Sequence, residues 1–471
     1  MTSRERALGA GLVAGAGAIA VAWPLSAYVT SPFILPALLA AAVAAAVILT
    51  RPEYGIALAV ALAPLTNAAF GDSPKPFQFL IPALAFGIVG YGVLTGRRGL
   101  EGRNLRLAGG AMLVYGAVAV IASAQAIDPA RSVSEVILVL TAIALFFAVR
   151  QVCVERDQLL VVVGGALAGL LVAAVHGLVQ QQLGVFSTEG FVADGEIVGR
   201  IYGSFGHPNF YGAFLAGLIP LAVAVVFESR LSRPLRWLAL TALALALPAL
   251  VLSYARGAII GLVAGAVIWL AVLRPRLAIA VVVTTAIAAV VFAPASLKER
   301  FDPGASGSDV TLRSDIWSSA LAIYAERPIL GTGLDNFPVA YQELPSTTAN
   351  AAQRRLLHND LLLVPPHPQS IYLQALAEEG IIGLLVLLGF AGVVIVVLYR
   401  SSRTRDPVGR AIGASTGVAF VGLLVHGFLE VPLQSEAALP LFALIGVAAA
   451  FADFDGGAGE LSGSGAPSGA R

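Results

Sequence analysis

The chain has 471 residues, of which 58% are hydrophobic and only 12% are charged. Its mean hydropathy is +0.85, a value far outside the range of soluble globular proteins. The net charge of +1 says little by itself, but the sequence contains no basic tract with interleaved aromatic residues that would indicate nucleic-acid binding.

Apolar stretches long enough to cross a bilayer, about 20 residues each, recur along almost the whole chain. Lipid cannot satisfy backbone polar groups, so these stretches are predicted to be helices. The fold class is therefore an all-α polytopic membrane protein with about 12–14 transmembrane helices. The predicted spans are 8–23, 33–50, 55–70, 78–95, 107–123, 133–149, 158–179, 209–227, 236–253, 257–274, 277–293, 370–399, 410–427 and 437–452.

The arginines are concentrated in alternate loops, which the positive-inside rule assigns to the cytoplasm. These loops and ends contain Arg4, Arg6, Arg51, Arg97, Arg98, Arg103, Arg106, Arg150, Arg156, Arg230, Arg233, Arg236, Arg274, Arg276, Arg400, Arg403, Arg405 and Arg410. An even number of spans then places both termini in the cytoplasm. The first apolar run resembles a signal peptide, but we interpret it as an uncleaved helix because the alternation of loops uses it.

Two long stretches interrupt the membrane pattern, and both fall on the outer face: 180–208 and 294–369. The second is too long for a structureless connection in a compact protein, so we expect a helical extracytoplasmic subdomain there. Within it, residues 311–325 have helical spacing, and Gly331-Thr332-Gly333 predicts a turn. The predicted units are 1–179, 180–208, 209–293, 294–369, 370–452 and a disordered cytoplasmic tail, 453–471.

Several kinds of chemistry lose their support from the sequence. It contains no Gly-rich phosphate loop ahead of a lysine, no zinc-type spacing of His and Cys and no G-x-S-x-G motif. Cys153 is the only cysteine, which excludes an intrachain disulfide and a cysteine metal site. We therefore expect no metal and no other cofactor.

A polar stripe begins at the outer mouth of the span predicted at 370–399. If a helix starts at Pro368, Ser370, Gln374 and Glu378 follow one another at intervals of four, with His367 at the head of the stripe. An ionisable residue in a membrane helix is costly and is a functional hypothesis by default. The alternative is an interfacial histidine and a glutamate satisfied by neighbouring helices.

Three arginines are predicted to reach the outer face: Arg200, Arg256 and Arg313. The planar guanidinium binds phosphate through two parallel hydrogen bonds, so their convergence would suit a diphosphate. Arg256 lies between two spans with almost no loop and needs an anionic partner. For Arg313 the alternative is an ion pair with Asp309 or Asp315, and for Arg200 it is a solvated loop charge.

Several stretches, taken in order, resemble the O-antigen ligase and O-antigen polymerase superfamily of bacterial envelopes. They are Gly203–Asn209, Ser253–Ala258, Arg313 with Trp317 and Pro328–Gly333, His367 with Leu373, Leu376, Glu378, Gly380 and Gly383, and His426–Leu433. They cover residues from about 200 to 450. This chain has Ala255 where the family usually has serine before the arginine, and Pro368 where asparagine commonly follows the histidine. His358-Asn359 offers an alternative histidine, but only His367 precedes the Leu, Glu and Gly pattern.

The resemblance implies a glycosyltransferase of type C-like fold in the bacterial inner membrane, with its active site facing the periplasm. Such proteins transfer a glycan from an undecaprenyl diphosphate carrier to a hydroxyl of a glycan or glycolipid acceptor, without metal. It implies that His367 activates the acceptor hydroxyl and that Arg256 and Arg313 hold the diphosphate. The expected substrate-binding residues are Arg200, His207, Asn209, Trp317, Ser370, Gln374 and Glu378.

The reaction is expected to invert the anomeric carbon in one in-line displacement. Three functions remain open: a ligase, a polymerase of the same chemistry, and a transporter of bicarbonate or another small solute. A transporter usually has polar groups near the midplane and paired repeats. The sequence has no evident repeat and its ionisable residues cluster at the outer end, which favours glycan transfer.

Overall fold

The computed structural model describes residues 50–66, 76–96, 99–187, 191–193, 196–292, 307–344 and 365–461. The spans predicted at 8–23 and 33–50 lie outside these residues, apart from Thr50, as do His358 and most of the tail. In the described residues the helices are α1 Pro52–Leu62, α2 Pro76–Leu94, α3 Arg103–Ser123, α4 Pro129–Val152, α5 Arg156–Leu183, α6 Pro208–Phe227, α7 Arg233–Leu252, α8 Arg256–Leu273, α9 Pro275–Phe292, α10 Gly307–Glu326, α11 Phe337–Glu343, α12 Ile371–Glu378, α13 Gly380–Ser401, α14 Pro407–His426 and α15 Leu439–Leu461.

Ten helices among the described residues are long and apolar enough to cross a membrane. They are α2 to α8, α13, α14 and the segment Glu436–Phe454, while Pro52–Leu65 and Pro275–Ile287 are apolar but shorter. The prediction of an all-α polytopic membrane protein is confirmed. An antiparallel pair of three-residue strands, β1 Phe191–Ala193 and β2 Glu196–Val198, lies in the first outer stretch.

Proline and capping side chains fix where several of these helices begin. Asp128 accepts a hydrogen bond from the backbone N–H of Ala130 at the start of α4. Asp406 accepts from two backbone N–H groups at the start of α14. In both helices proline occupies the first turn, where its missing N–H costs nothing. These polar starts lengthen the helices by a few residues beyond the predicted apolar cores.

The prediction of one continuous helix over 370–399 is wrong. The chain forms the short helix α12 and the membrane helix α13, with a break at Glu379 and Gly380. Gly380 has a φ of +69°, which L side chains rarely adopt. A Cβ at this position would lie 2.3 Å from the carbonyl carbon of Ile329, so the break is where the outer subdomain packs against the membrane helix.

Glycines bring α8 and α14 into backbone contact. A Cβ at Gly261 would lie 2.5 Å from the carbonyl oxygen of Gly422, and one at Gly265 would lie 2.5 Å from that of Val418. Small residues allow this close approach inside a membrane, where van der Waals packing drives helix association. The contact holds the outer ends of the two helices together.

The alternation of loops predicted from the arginines agrees with the contacts at the two ends of the bundle. At one end, the connection before α4 meets the outer subdomain, where the side chain of Asn336 accepts from the N–H of Asp128 at 2.6 Å. At the other end, Arg156 pairs with Asp406 at 3.3 Å. Loops of the same predicted side therefore contact each other.

The subdomain helix predicted at 311–325 is α10, and the turn predicted at Gly331–Gly333 has positive φ at both glycines. The helical spacing of residues 311–325 predicts a buried side formed by Leu312, Ile316, Ala320, Leu321 and Tyr324. The buried stripe of α10 differs from this prediction. Ile316, Ala320 and Ile323 are buried, whereas Leu321 is 50% exposed. The stripe follows the packing of α10 against α12 and α11, which the sequence pattern alone does not specify.

Candidate active site

Three segments that are distant in sequence meet at the end of the bundle that is predicted to face outward. They are the loop before α6 together with the first turn of that helix, the residues preceding α12 and the connection that follows α14. Each contributes polar side chains, and the carboxylate of Glu430 in the last segment lies at their centre.

Glu430 is 1% exposed and contacts two of the predicted site residues. Its Oε2 accepts a hydrogen bond from Nδ2 of Asn209 at 2.7 Å. Its Oε1 lies 3.4 Å from Nε2 of His367. The preceding residue, Leu429, accepts from Nη1 of Arg313 at 2.7 Å through its carbonyl oxygen. The adjacent residues Leu429 and Glu430 therefore connect the guanidinium of Arg313 to the imidazole of His367.

The orientation of the His367 ring is set by its own loop. Nδ1 accepts a hydrogen bond from the backbone N–H of Gln369 at 3.2 Å, and the ring lies 5.7 Å from that of Phe210. A neutral imidazole that accepts at Nδ1 carries its proton on Nε2. The Nε2–H group therefore faces the carboxylate of Glu430.

Arg200 is 3% exposed, so the alternative of a solvated loop charge is wrong. Its Nε donates to the carbonyl of Ser253 at 3.0 Å, and its Nη2 donates to Oδ1 of Asn209 at 2.8 Å. Asn209 in turn holds Glu430. A chain of hydrogen bonds thus leads from the turn between α7 and α8 to the carboxylate that faces His367.

His207 and Arg256, the remaining predicted histidine and arginine, lie at the starts of α6 and α8 around the Glu430 cluster. His207 caps α6, where its Nδ1 accepts from the N–H of Asn209 at 3.0 Å. Arg256 is the first residue of α8, after a tight turn in which Tyr254 has a φ of +51°. A Cβ at the next residue, Gly257, would lie 2.6 Å from Cδ2 of the buried His426, which places the start of α8 against the end of α14.

Electrostatics keep the central carboxylate ionised. Burial alone would raise the pKa of Glu430, but His367, His207, the hydrogen bond from Asn209 and His426 together lower it below its ordinary value. The buried anion lies 3.4 Å from Nε2 of His367 and stabilises a positive charge on that imidazole. The geometry therefore suits a histidine that takes up a proton.

Two predicted site residues on α12, Gln374 and Glu378, bond to each other, and Glu378 also bonds to the outer subdomain. Ser370 is the residue before α12, and Gln374 donates to Oε2 of Glu378 at 3.0 Å. The other oxygen of Glu378 accepts from the N–H of Phe337 at 2.9 Å, at the start of α11. The contacts of Glu378 agree with the alternative of a glutamate satisfied by neighbouring elements, and it joins the outer subdomain to α12.

The two glutamates at the α12–α13 junction are buried. Burial raises the pKa of Glu378 to about 7. Burial and the neighbouring Glu378 raise the pKa of Glu379 to about 8. Near neutral pH, Glu379 therefore favours the neutral form, and Glu378 is protonated in part.

Trp317 lies four residues after Arg313 on α10 and so projects from the same side of the helix. Its indole Nε1 is buried and has no hydrogen-bond partner among the described residues. An unpaired indole N–H on the side of Arg313 is a donor available to a bound hydroxyl or phosphate oxygen. The structure thus keeps Trp317 as a candidate for substrate binding.

Sequence reasoning assigned no role to Glu430 or His426, although it singled out the stretch His426–Leu433. The available signal for these two residues was their spacing of four, shortly before a proline.

In the described part of the chain, no group of three His, Cys, Asp or Glu side chains has the geometry to hold a metal ion. Beneath His426, α6, α8 and α14 line a cavity of about 10 Å³, room for one water molecule.

A comparison with known families matches residues 241–388 to the model of the O-antigen ligase family. This region contains Arg256, Arg313 and His367, while Asn209 and Glu430 lie outside it. No curated protein sequence matches the chain. The family match confirms the predicted resemblance: residues 241–388 of this multi-pass membrane protein are similar to the O-antigen ligase family.

Proposed function

We propose that the protein transfers a glycan from an undecaprenyl diphosphate carrier to a hydroxyl acceptor at the periplasmic face of the inner membrane. The observation that carries the proposal is the meeting of Arg313 and His367 at Leu429 and Glu430, through distances of 2.7 and 3.4 Å. A guanidinium for the leaving group and an imidazole for the acceptor are the two groups that such a transfer needs.

The diphosphate is held by Arg313 and Arg256. The carbonyl of Leu429 takes one N–H of Arg313 and fixes the direction of its guanidinium. Arg256 stands at the N-terminus of α8, where the helix dipole and the first backbone N–H groups favour an anion. As the bond between the anomeric carbon and the diphosphate oxygen breaks, the leaving group takes both electrons and these cations neutralise its charge.

His367 accepts the proton of the attacking hydroxyl on Nδ1, the nitrogen that does not face Glu430. The hydroxyl replaces the contact from the N–H of Gln369 and its oxygen bonds to the anomeric carbon, with inversion. Glu430 stabilises the imidazolium that results, because its carboxylate lies beside Nε2. Arg200 and Asn209 position Glu430 through the hydrogen bonds described above.

The test uses the purified full-length protein with undecaprenyl diphosphate-linked glycan and a hydroxyl acceptor. His367→Ala is expected to reduce transfer by at least 10²-fold, the usual contribution of a general base. His176→Ala, which changes a half-buried histidine in α5, is the matched control and should retain activity. Full activity of the His367→Ala variant would falsify the base role.

Arg256→Ala and Arg313→Ala are expected to weaken binding of the carrier. Arg→Lys should restore it poorly, because an ammonium is a point charge without the planar pair of donors. Arg327→Ala, an exposed arginine just after α10, is the control. Unchanged carrier binding in both alanine variants rules out the diphosphate role.

A polymerase shares this chemistry and differs in its acceptor, which is then a carrier-linked repeat unit. A deletion strain distinguishes the two functions through its glycan chain-length profile. Finished polymer that remains on its carrier identifies a ligase. Single repeat units alone identify a polymerase.

A further inference from the structure

A cavity of about 280 Å³ lies at the ends of α6 and α7 that are distant from the His367 cluster. Its lining residues are Val226, Arg233, Arg236, Trp237 and Leu240. Helix α6 starts beside the cluster and runs for 20 residues, which spans about 30 Å, the thickness of a bilayer core. The cavity is therefore at the opposite membrane boundary, which is the cytoplasmic one in the topology proposed above.

Two guanidinium groups give this cavity a positive wall. Arg236 donates from Nε to the carbonyl of Val226 at 3.1 Å, in the last turn of α6, where carbonyls lack partners within the helix. This contact holds the guanidinium at the rim. Arg233, three residues earlier on α7, is exposed. The wall suits a phosphate, to which arginines donate parallel hydrogen bonds.

An apolar strip continues from the cavity along the membrane. Trp237 is 65% exposed, and Leu240 and Leu247 follow on the same side of α7 with 41% and 48% exposure. On α6, Phe227 is 80% exposed. Tryptophan at such a boundary places its ring at headgroup level. The cavity thus joins a site for an anion to a surface for a hydrocarbon chain.

We propose that this cavity binds an anionic phospholipid, with its phosphate between Arg233 and Arg236 and one acyl chain along Trp237, Leu240 and Leu247. Charge and shape both select this ligand. A free phosphate leaves the apolar strip uncovered, and a zwitterionic lipid brings its own cation to the arginines. The inference does not depend on the transfer reaction.

The experiment measures quenching of tryptophan fluorescence in the detergent-purified, full-length protein by phosphatidylglycerol with brominated acyl chains. The chain has four tryptophans, so Trp237→Phe identifies the quenched component. Brominated phosphatidylcholine tests the headgroup, and inorganic phosphate as a competitor tests whether a free anion suffices. Arg233→Gln removes one cation, and Arg276→Gln, an exposed arginine at the start of α9, is the matched control.

We expect phosphatidylglycerol to bind at least five-fold more tightly than phosphatidylcholine. Arg233→Gln should weaken that binding about five-fold, the effect of one arginine at a lipid surface, and Arg276→Gln should leave it unchanged. Trp237→Phe should abolish most of the quenching. Equal binding of the two lipids, equal losses in the two arginine variants, persistent quenching without Trp237, or displacement of the lipid by equimolar phosphate would each overturn the proposal.

Discussion

Replacing Glu430 by glutamine tests the proposed mechanism most directly, because it removes one charge while preserving the volume of a fully buried side chain. The glutamine oxygen can still accept from Asn209, but its NH2 group then faces Nε2–H of His367, donor against donor. The imidazolium formed during transfer loses its partner. At 3.4 Å and an effective dielectric constant of about 20, that attraction is at most about 5 kcal/mol.

We expect Glu430→Gln to lower kcat by about 10²-fold or more, the range of general-base contributions, with a smaller change in KM for the carrier. The acidic limb of the pH–rate profile should move to lower pH, because a histidine without a facing carboxylate protonates less readily. Glu436→Gln, in the same connection, is the control. A kcat within three-fold of the wild-type value, or an unmoved pH–rate profile, would refute the pairing of Glu430 with His367.

Three further variants test the framework around the site. Arg200→Lys should reduce transfer about ten-fold or more in the same assay while the Tm stays close to that of the wild type, because one ammonium cannot span both acceptors of the guanidinium; full activity would contradict this. Gly261→Val should lower the Tm strongly or prevent folding, since its Cβ meets the backbone of Gly422. Gly110→Ala, where a Cβ has nothing within 4 Å, should leave the Tm unchanged. Equal Tm values for the Gly261→Val variant and the wild type would contradict the close packing of α8 against α14. The native state holds a proton on Glu379 up to a pH of about 8, whereas the unfolded chain loses it near 4.5; stability should therefore fall as the pH rises between these values, and Glu379→Gln should flatten the dependence of Tm on pH.

Much of the membrane architecture could be predicted because it depends on properties that short windows of sequence contain. Hydrophobic runs of about 20 residues set the spans, although the start of α4 at Pro129, after the capping Asp128, lies outside the predicted bounds of 133–149. The break between α12 and α13 escaped prediction for a physical reason. The left-handed backbone at Gly380 is required by a segment near Ile329, about 50 residues earlier, and no local pattern specifies that contact.

Some residues of the candidate site could be selected from the sequence and others could not, for the same physical reason: short windows of sequence do not specify long-range contacts. His367 could be selected because an ionisable group at the mouth of a predicted membrane helix needs a reason. Arg313 could be selected because a guanidinium on the outer face suits a phosphate, and Asn209 through the family resemblance. For the stripe from Ser370 to Glu378, equal spacing on one helix could not tell that Glu378 meets the start of α11. Glu430 had no helical pattern of its own, and its role is apparent only when segments more than 200 residues apart in sequence come together.

The packing of the membrane helices and the electrostatics of the site are linked through the contact between α8 and α14. Gly261 and Gly422 bring the two backbones together, and the same approach brings Gly257 against the ring of His426. The first residue of α8, Arg256, is thereby held near the connection that contains Glu430, and a larger residue at these glycines would separate the two. Arg256 is half-buried and Glu430 is buried. Charged groups are costly within a membrane, and backbone contacts fix the position of these two segments more rigidly than flexible side chains would. The stripe of glycines on α8 is therefore part of what positions the candidate active site.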